Sequence, residues 1–118
     1  MSEMKVFKDF KFSAAHRLTK VPNGHQCAEL HGHNYKVRII VKGVLTDGWV
    51  IDFAEIKRAW EQRIKPYVDH KTLNSVSGLD NPTAENIAKW IWKRIALSGL
   101  HSITVWETDD CGAVYKGK

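Results

Sequence analysis

A strict alternation of side chains along residues 31–43, HGHNYKVRIIVKG, is the feature that most constrains the fold of this chain. One side of the segment carries His31, His33, Tyr35, Val37, Ile39 and Val41, and the other carries Asn34, Lys36, Arg38 and Lys42. Successive side chains of a β-strand point to opposite faces of its sheet. A period of two therefore predicts a half-buried strand with its apolar face against a core.

Residues 5–17, KVFKDFKFSAAHR, repeat the pattern and predict a second strand. Its apolar face carries Val6, Phe10, Phe12, Ala14 and His16. The segment between the two strands, residues 18–30, contains Pro22, Asn23 and Gly24, which are typical of a loop. A histidine thus falls on the inward face of the first strand, just before that loop.

Two helices and two more strands complete the predicted order. Asp52 favours a helix start, with Glu55 three residues on as in a capping box, and Pro66 ends or kinks that helix. Asn81-Pro82 predicts the start of a second helix, with proline at the first helical position. Residues 102–108 and 113–117 predict two final strands. The order ββααββ predicts an α+β domain over residues 1–118, with an antiparallel sheet and both helices on one face.

Bulk properties restrict the class of protein. The 118 residues suit one domain, and no apolar run is long enough to span a membrane. The N-terminal stretch lacks the pattern of a secretory signal, so we expect a cytoplasmic protein whose two cysteines are free thiols. A net charge of +5 suits an anionic partner, either a phosphorylated small molecule or a nucleic acid. The basic residues are dispersed, which weakens the case for nucleic acid.

Three histidines form the first candidate site. His31 and His33 point to the same side of their strand, and Gly32 between them adds no side chain. If the two strands pair, His16 joins them, and three imidazoles with one open position are typical of a catalytic zinc site. The alternative is a set of strand-end histidines that face solvent.

Cys27, in the loop before His31, has three interpretations that the residues leave open. It is a fourth metal ligand, a reactive thiol beside the metal, or a buried cysteine without chemistry. Asp69-His70, in the long connection after the first helix, is either a carboxylate that orients an imidazole or part of a surface loop.

Glu107 follows the inward-facing Ile103 and Val105 on a predicted strand. A carboxylate on that face needs a partner, and it matches two parallel N–H donors, as in the amino-amide edge of a guanine-like ring. The alternative is that the strand has already reached solvent at this residue.

Several segments, in this order, together resemble the 6-pyruvoyltetrahydropterin synthase family. They are FSAAHRL, CAELHGHNYKV, VIDFAEIK, VDHKTLN, NPTAENIAKWIW and VWET, and they cover nearly the whole chain. The C-x-x-x-H-G-H spacing from Cys27 to His33 resembles the bacterial branch that forms 6-carboxytetrahydropterin for queuosine (7-deazaguanine) biosynthesis.

The resemblance implies a role for each candidate residue. It implies zinc bound by His16, His31 and His33, a catalytic thiol at Cys27, an acid/base pair at Asp69 and His70, and contacts to the pterin ring from Glu107 and Thr83. The implied substrate is 7,8-dihydroneopterin triphosphate, and the implied products of the carboxy branch are 6-carboxytetrahydropterin, triphosphate and acetaldehyde.

The resemblance also implies the tunnelling fold, in which ββααββ subunits assemble into barrels, commonly as a hexamer of two trimers with active sites between subunits. Two alternatives remain. One is 6-pyruvoyltetrahydropterin synthase activity on the same substrate, and the other, of a different class, is a zinc-stabilised nucleic-acid-binding module. We expect a small-molecule substrate and neither a nucleic-acid nor a membrane partner.

Overall fold

The computed structural model describes residues 2–118, which form one five-stranded sheet with helices on one face. The strands are β1 (Glu3–His16), β2 (His31–Val44), β3 (Lys71–Thr72), β4 (Leu100–Thr108) and β5 (Cys111–Tyr115), and the helices are α1 (Phe53–Arg63), α2 (Lys65–Val68) and α3 (Ala84–Ile95). The spatial order of the strands is β3-β1-β2-β4-β5. The predicted α+β architecture is confirmed. None of the described helices is long and apolar enough to cross a membrane.

Strands β1 and β2 pair antiparallel along their whole length, from Glu3 opposite Val44 to His16 opposite His31. Their alternating apolar residues face the helices and form the centre of the core, where the rings of Phe12 and Tyr35 stack at 4.8 Å. Both predicted alternations are therefore confirmed. Because the pairing runs to the last residue of β1, the histidines of the two strands come together at one end of the sheet.

The first helix begins as predicted, with the Asp52 side chain accepting a hydrogen bond from the Ala54 N–H at 2.9 Å. The helix is interrupted at Ile64, between α1 and α2, and Pro66 lies in the first turn of α2. The interruption expected at this proline is confirmed.

The predicted start of the second long helix at Pro82 is wrong. Helix α3 begins at Ala84, because the Thr83 hydroxyl caps it by accepting from the Asn86 N–H at 3.1 Å. The Pro82 carbonyl instead accepts a hydrogen bond from the His16 ring at 2.7 Å. A contact to a distant strand thus replaces the first helical hydrogen bond.

The sequence predicted a purely antiparallel sheet, but the structure contains one parallel pair of strands. Lys71 and Thr72 pair in parallel with Ala14 and Ala15 of β1. A strand of two residues leaves no alternation to recognise, so the pattern could not reveal it. Its effect is to hold the preceding residue, His70, at the edge of β1.

The β4–β5 hairpin places Glu107 at an irregularity in the ladder. The pairing shifts between Trp106 and Thr108, so Glu107 lies at the break and Cys111 stands opposite Thr108. Gly112 is needed here because a Cβ at this position would collide with the Val105 carbonyl oxygen. The close approach of the two backbones fixes the tip of the hairpin beside the three histidines.

Candidate active site

The three predicted histidines converge at the end of β1 and the start of β2. His16 and His31 are direct cross-strand partners, and His33 lies opposite Ala14. Each imidazole offers one nitrogen, and these three atoms all lie within 4.8 Å of one another. Burial decreases from His16, which is fully inaccessible, to His31 and His33, which are partly exposed. The site is therefore closed on the core side and open on one side.

Two backbone carbonyls determine which nitrogen of each ring is free. The Nδ1 atom of His16 lies 2.7 Å from the Pro82 carbonyl oxygen, and Nδ1 of His31 lies 2.7 Å from the Glu29 carbonyl oxygen. A carbonyl oxygen only accepts hydrogen bonds, so both rings must carry their proton on Nδ1. In neutral imidazoles this leaves both Nε2 atoms as bare lone pairs.

The arrangement of these lone pairs suits a cation. The Nε2 atoms of His16 and His31 lie 3.0 Å apart, and with both protons on Nδ1 neither can donate to the other. The Nε2 atom of His33 is buried and has no hydrogen-bond partner among the described residues. Burial has the largest effect on the pKa of His16 and lowers it, so protonation of His16 is disfavoured as a way to satisfy the facing lone pairs. The donor set fits a metal ion that prefers imidazole nitrogen, with zinc foremost.

The Glu107 carboxylate borders the histidine cluster. Its Oε1 atom lies 3.3 Å from Nε2 of His16 and 3.5 Å from Nε2 of His33, and its side chain is 30% exposed. Glu107 therefore does not point freely into solvent, which was one of the two interpretations open from sequence. It forms the boundary between the imidazoles and a neighbouring cavity.

That cavity has a volume of about 290 Å³ and also contains Thr83. Its lining residues are Leu18, Thr83, Ala84, Glu85, Glu107, Cys111 and Gly112. The structure thus brings together the two residues that the family resemblance implies as contacts of the pterin ring. Cys111, to which the sequence analysis assigned no function, is exposed and also lines this cavity.

Cys27 lies outside the ligand group formed by the three histidines. It belongs to a short 3₁₀ turn, Gln26–Ala28, whose position is fixed by backbone hydrogen bonds: its N–H donates to Nδ1 of His25 at 3.0 Å, and its carbonyl accepts from the Leu18 N–H at 2.7 Å. Within residues 2–118 the candidate metal group contains no thiol. The arrangement favours a free thiol over a fourth ligand.

Asp69 and His70 dock on the edge of β1 that faces away from β2. Asp69 Oδ1 accepts from the Ser13 N–H at 3.1 Å and lies 3.1 Å from Nδ1 of His70, while the His70 N–H donates to the Ser13 carbonyl at 2.6 Å. Burial tends to raise the pKa of Asp69, but the Ser13 N–H and His70 together hold it below its usual value. The carboxylate is ionised and orients the ring.

The His70 ring itself is 81% exposed and has a positive φ of 59° at its backbone. A surface depression of about 490 Å³ crosses β1 and is bordered by His33 on one side and by His70 on the other. The described contacts of His70 do not include Cys27. The structure brings together the three histidines, Glu107 and Thr83, and leaves the Asp69–His70 pair at a separate edge.

Sequence reasoning missed the groups that hold the imidazoles. The fully buried Tyr35 places its hydroxyl 3.2 Å from Nδ1 of His16, and burial raises its pKa above the usual range. The alternation of β2 contained this signal, because Tyr35 follows His33 on the same face. The carbonyls of Glu29 and Pro82 carry no signal in the side-chain pattern.

Comparison with known proteins identifies the class. A family model for 6-pyruvoyl tetrahydropterin synthase matches residues 5–118, so the chain belongs to this family of lyase-type pterin enzymes.

Individual relatives carry more than one activity. The chain is 37% identical to 6-carboxy-5,6,7,8-tetrahydropterin synthase of Synechocystis, over 93% of this chain and 91% of the relative. It is 38% identical to dihydroneopterin monophosphate aldolase of Pyrococcus furiosus, over 86% and 87%, and 33% identical to human 6-pyruvoyl tetrahydrobiopterin synthase, over 98% and 93%. The structure of 6-pyruvoyl tetrahydropterin synthase from Caenorhabditis elegans superimposes with a TM-score of 0.91 at 28% identity, covering 100% of this chain and 98% of that one.

Proposed function

We propose that this chain is a zinc-dependent lyase that converts 7,8-dihydroneopterin triphosphate and one water molecule to 6-carboxy-5,6,7,8-tetrahydropterin, triphosphate and acetaldehyde. The observation that carries the proposal is the convergence of three histidine ligand atoms, with the Nε2 atoms of His16 and His31 free of protons, beside the cavity of Glu107 and Thr83. The activity named for the Synechocystis relative, at 37% identity, supports this reaction. The pathway that we propose is queuosine biosynthesis in the cytoplasm.

In this proposal His16, His31 and His33 hold the zinc ion. Bound zinc supplies Lewis-acid chemistry that lowers the pKa of a hydroxyl group. The hydrogen bonds from both Nδ1 atoms to carbonyls keep the Nε2 lone pairs directed at the ion. Glu107 accepts from the amino-amide edge of the pterin ring, and Thr83, which lines the same cavity, also contacts the ring.

Proton transfer is assigned to Cys27 and His70. Cys27, as its thiolate, removes a proton from the substrate side chain and the His70 imidazole delivers one, with Asp69 orienting the ring at 3.1 Å. His70 is 81% exposed and has no described contact with the histidine cluster. We therefore propose that the Asp69–His70 pair of one subunit serves the metal centre of a neighbouring subunit.

The free edges of the sheet support such an assembly. Among the described residues, the outer side of β1 is paired with β3 only at Ala14 and Ala15, and Ser13 is bonded to Asp69 and His70. Residues 3–12 of that edge are left open, and β5 is the terminal strand on the other side. Open edges with exposed apolar residues such as Phe7 and Val114 favour pairing with another chain. We propose a barrel made by edge-to-edge pairing, with a hexamer of two trimers as the complete enzyme.

Product identification tests the reaction. Zinc-loaded protein is incubated with 7,8-dihydroneopterin triphosphate, aldehydes are trapped, and the mixture is analysed by mass spectrometry. 6-Carboxytetrahydropterin with acetaldehyde is the expected result. Unchanged substrate in the presence of stoichiometric zinc would refute the catalytic assignment and reopen the hypothesis of a zinc-stabilised nucleic-acid-binding module.

Two other activities have specific support, because relatives of similar identity carry their names. A 6-pyruvoyl product without acetaldehyde would favour the activity of the human relative, which is 33% identical. Turnover of dihydroneopterin monophosphate in preference to the triphosphate would favour the activity of the Pyrococcus furiosus relative, which is 38% identical. The same mass-spectrometric assay, run with both phosphorylated substrates, separates the three.

Replacing Asp69 by asparagine tests the acid/base pair. Asparagine retains an oxygen acceptor for the Ser13 N–H and removes only the negative charge beside His70. We expect kcat to fall by roughly 10²-fold or more, with KM and zinc content close to the values of the unchanged protein. Steady-state kinetics with a zinc assay measures this. A kcat within about threefold of the original would remove the pair from the mechanism.

A further inference from the structure

Two asparagines join the end of β1 to the loop before α3, beside the metal centre. We infer that Asn74 and Asn81, which touch neither the metal ligand atoms nor the cavity of Glu107, are positioning residues that set the metal affinity of His16. The inference rests on the zinc role proposed above. It concerns how the ligand is held, and it is independent of which product the enzyme forms.

The Asn74 side chain forms two hydrogen bonds with the backbone of Arg17, the residue directly after His16. Its Oδ1 accepts from the Arg17 N–H at 2.9 Å, and its Nδ2 donates to the Arg17 carbonyl at 2.8 Å and to the Asp80 carbonyl at 3.3 Å. The backbone partners leave no ambiguity in the amide orientation, since an N–H must face oxygen and carbonyls must face the NH₂ group. The Asn74 side chain thus connects Arg17, at the end of β1, to Asp80, in the loop before α3.

Asn81 makes the second connection, to Thr19, which lies two residues after Arg17. Its Oδ1 accepts from the Thr19 N–H at 3.1 Å and faces the Thr19 hydroxyl at 3.4 Å. Its own carbonyl accepts from the Asn86 side chain at 2.8 Å, which ties the loop to the first turn of α3. Unlike Asn74, the Asn81 side chain acts only as an acceptor in its contacts with the described residues.

These contacts fix the hydrogen bond that orients His16. Asn81 immediately precedes Pro82, whose carbonyl receives Nδ1–H of His16 at 2.7 Å. If segment 17–19 and segment 80–82 separate, that hydrogen bond lengthens and the His16 lone pair is no longer directed at the ion. Loss of a group that orients a metal ligand typically lowers metal affinity by about 10- to 100-fold.

The same substitution, asparagine to aspartate, provides a matched test at the two positions. Asn81→Asp keeps the acceptor that Thr19 needs, so we expect zinc affinity within about threefold of the unchanged protein. Asn74→Asp loses both donated hydrogen bonds and sets a carboxylate against two carbonyls, so we expect at least about 10-fold weaker zinc binding. Both variants add one negative charge, so a general electrostatic effect would change them equally. Asn81→Ala should also bind about 10-fold more weakly.

Zinc affinity is measured by chelator competition, and the visible spectrum of the Co²⁺-substituted protein reports ligand geometry. Ile95→Val, a change in the core at the far end of α3, is the control for lowered stability and should leave zinc affinity unchanged. Equal zinc affinity for Asn74→Asp and the unchanged protein overturns the inference, as does equal loss at both positions. Failure of the unchanged protein to bind zinc overturns the inference and the zinc role together. Normal zinc results without any product overturn the proposed reaction alone.

Discussion

Replacing Cys27 by alanine is expected to reduce turnover by about 10³-fold or more while zinc and fold are retained. The thiolate form of Cys27 is the proposed proton acceptor, and its sulfur lies outside the group of ligand atoms. Only backbone atoms of Cys27 take part in the hydrogen bonds that hold it: its N–H donates to His25, and its carbonyl accepts from the Leu18 N–H. Alanine therefore preserves both. The measurement is single-turnover kinetics alongside zinc content and thermal midpoint.

A Cys27→Ser variant sharpens this experiment. A hydroxyl ionises far less readily than a thiol, so serine should be almost as inactive as alanine although it is nearly isosteric. If Cys27→Ala loses its zinc, Cys27 is a fourth ligand and the catalytic assignment is wrong. If turnover stays within about tenfold, the proton acceptor is another group.

Replacing His31 by alanine is expected to lower zinc affinity by more than the roughly 100-fold that loss of an outer partner of a metal ligand produces. Turnover at stoichiometric zinc should disappear with it. His31 is preferable to His16 for this test, because His16 is fully buried and bonded to Pro82, so its removal would also leave an unpaired carbonyl in the core.

Zinc affinity of the His31→Ala variant is measured by competition with a chelator, and metal content by elemental analysis after dialysis. His101→Ala is the matched control: this histidine lies on β4, outside the candidate metal group, so zinc binding should be unchanged. Zinc affinity of His31→Ala equal to that of the unchanged protein would exclude the three-histidine site.

The alternation of two strands determined much of the site in advance. A period of two is a local property of the backbone, so the shared face of His31 and His33 and the inward position of His16 follow from sequence order alone. The Asp52 cap and the break before Pro66 are local in the same sense. These are the features that needed no knowledge of which segments meet.

Local signals were insufficient where two local solutions competed. In NPTAEN, Pro82 suits the first helical position and Thr83 suits the cap. The structure selects Thr83, because the Pro82 carbonyl bonds to His16, which lies 66 positions away along the chain. No short-range pattern contains that partner.

By itself, then, the sequence determined the half-buried strands, the helices and the residue types that carry the chemistry. Only the tertiary structure decided the antiparallel register that sets His16 opposite His31. It also decided which carbonyls accept from Nδ1 of these two rings and so leave both Nε2 atoms unprotonated. The docking of Asp69 on Ser13, 56 positions earlier, is a third feature of this kind. The physical reason is the range of the forces involved. Side-chain periodicity follows from backbone geometry over a few residues, whereas register, tautomer and docking depend on hydrogen bonds between segments that meet only when the core closes.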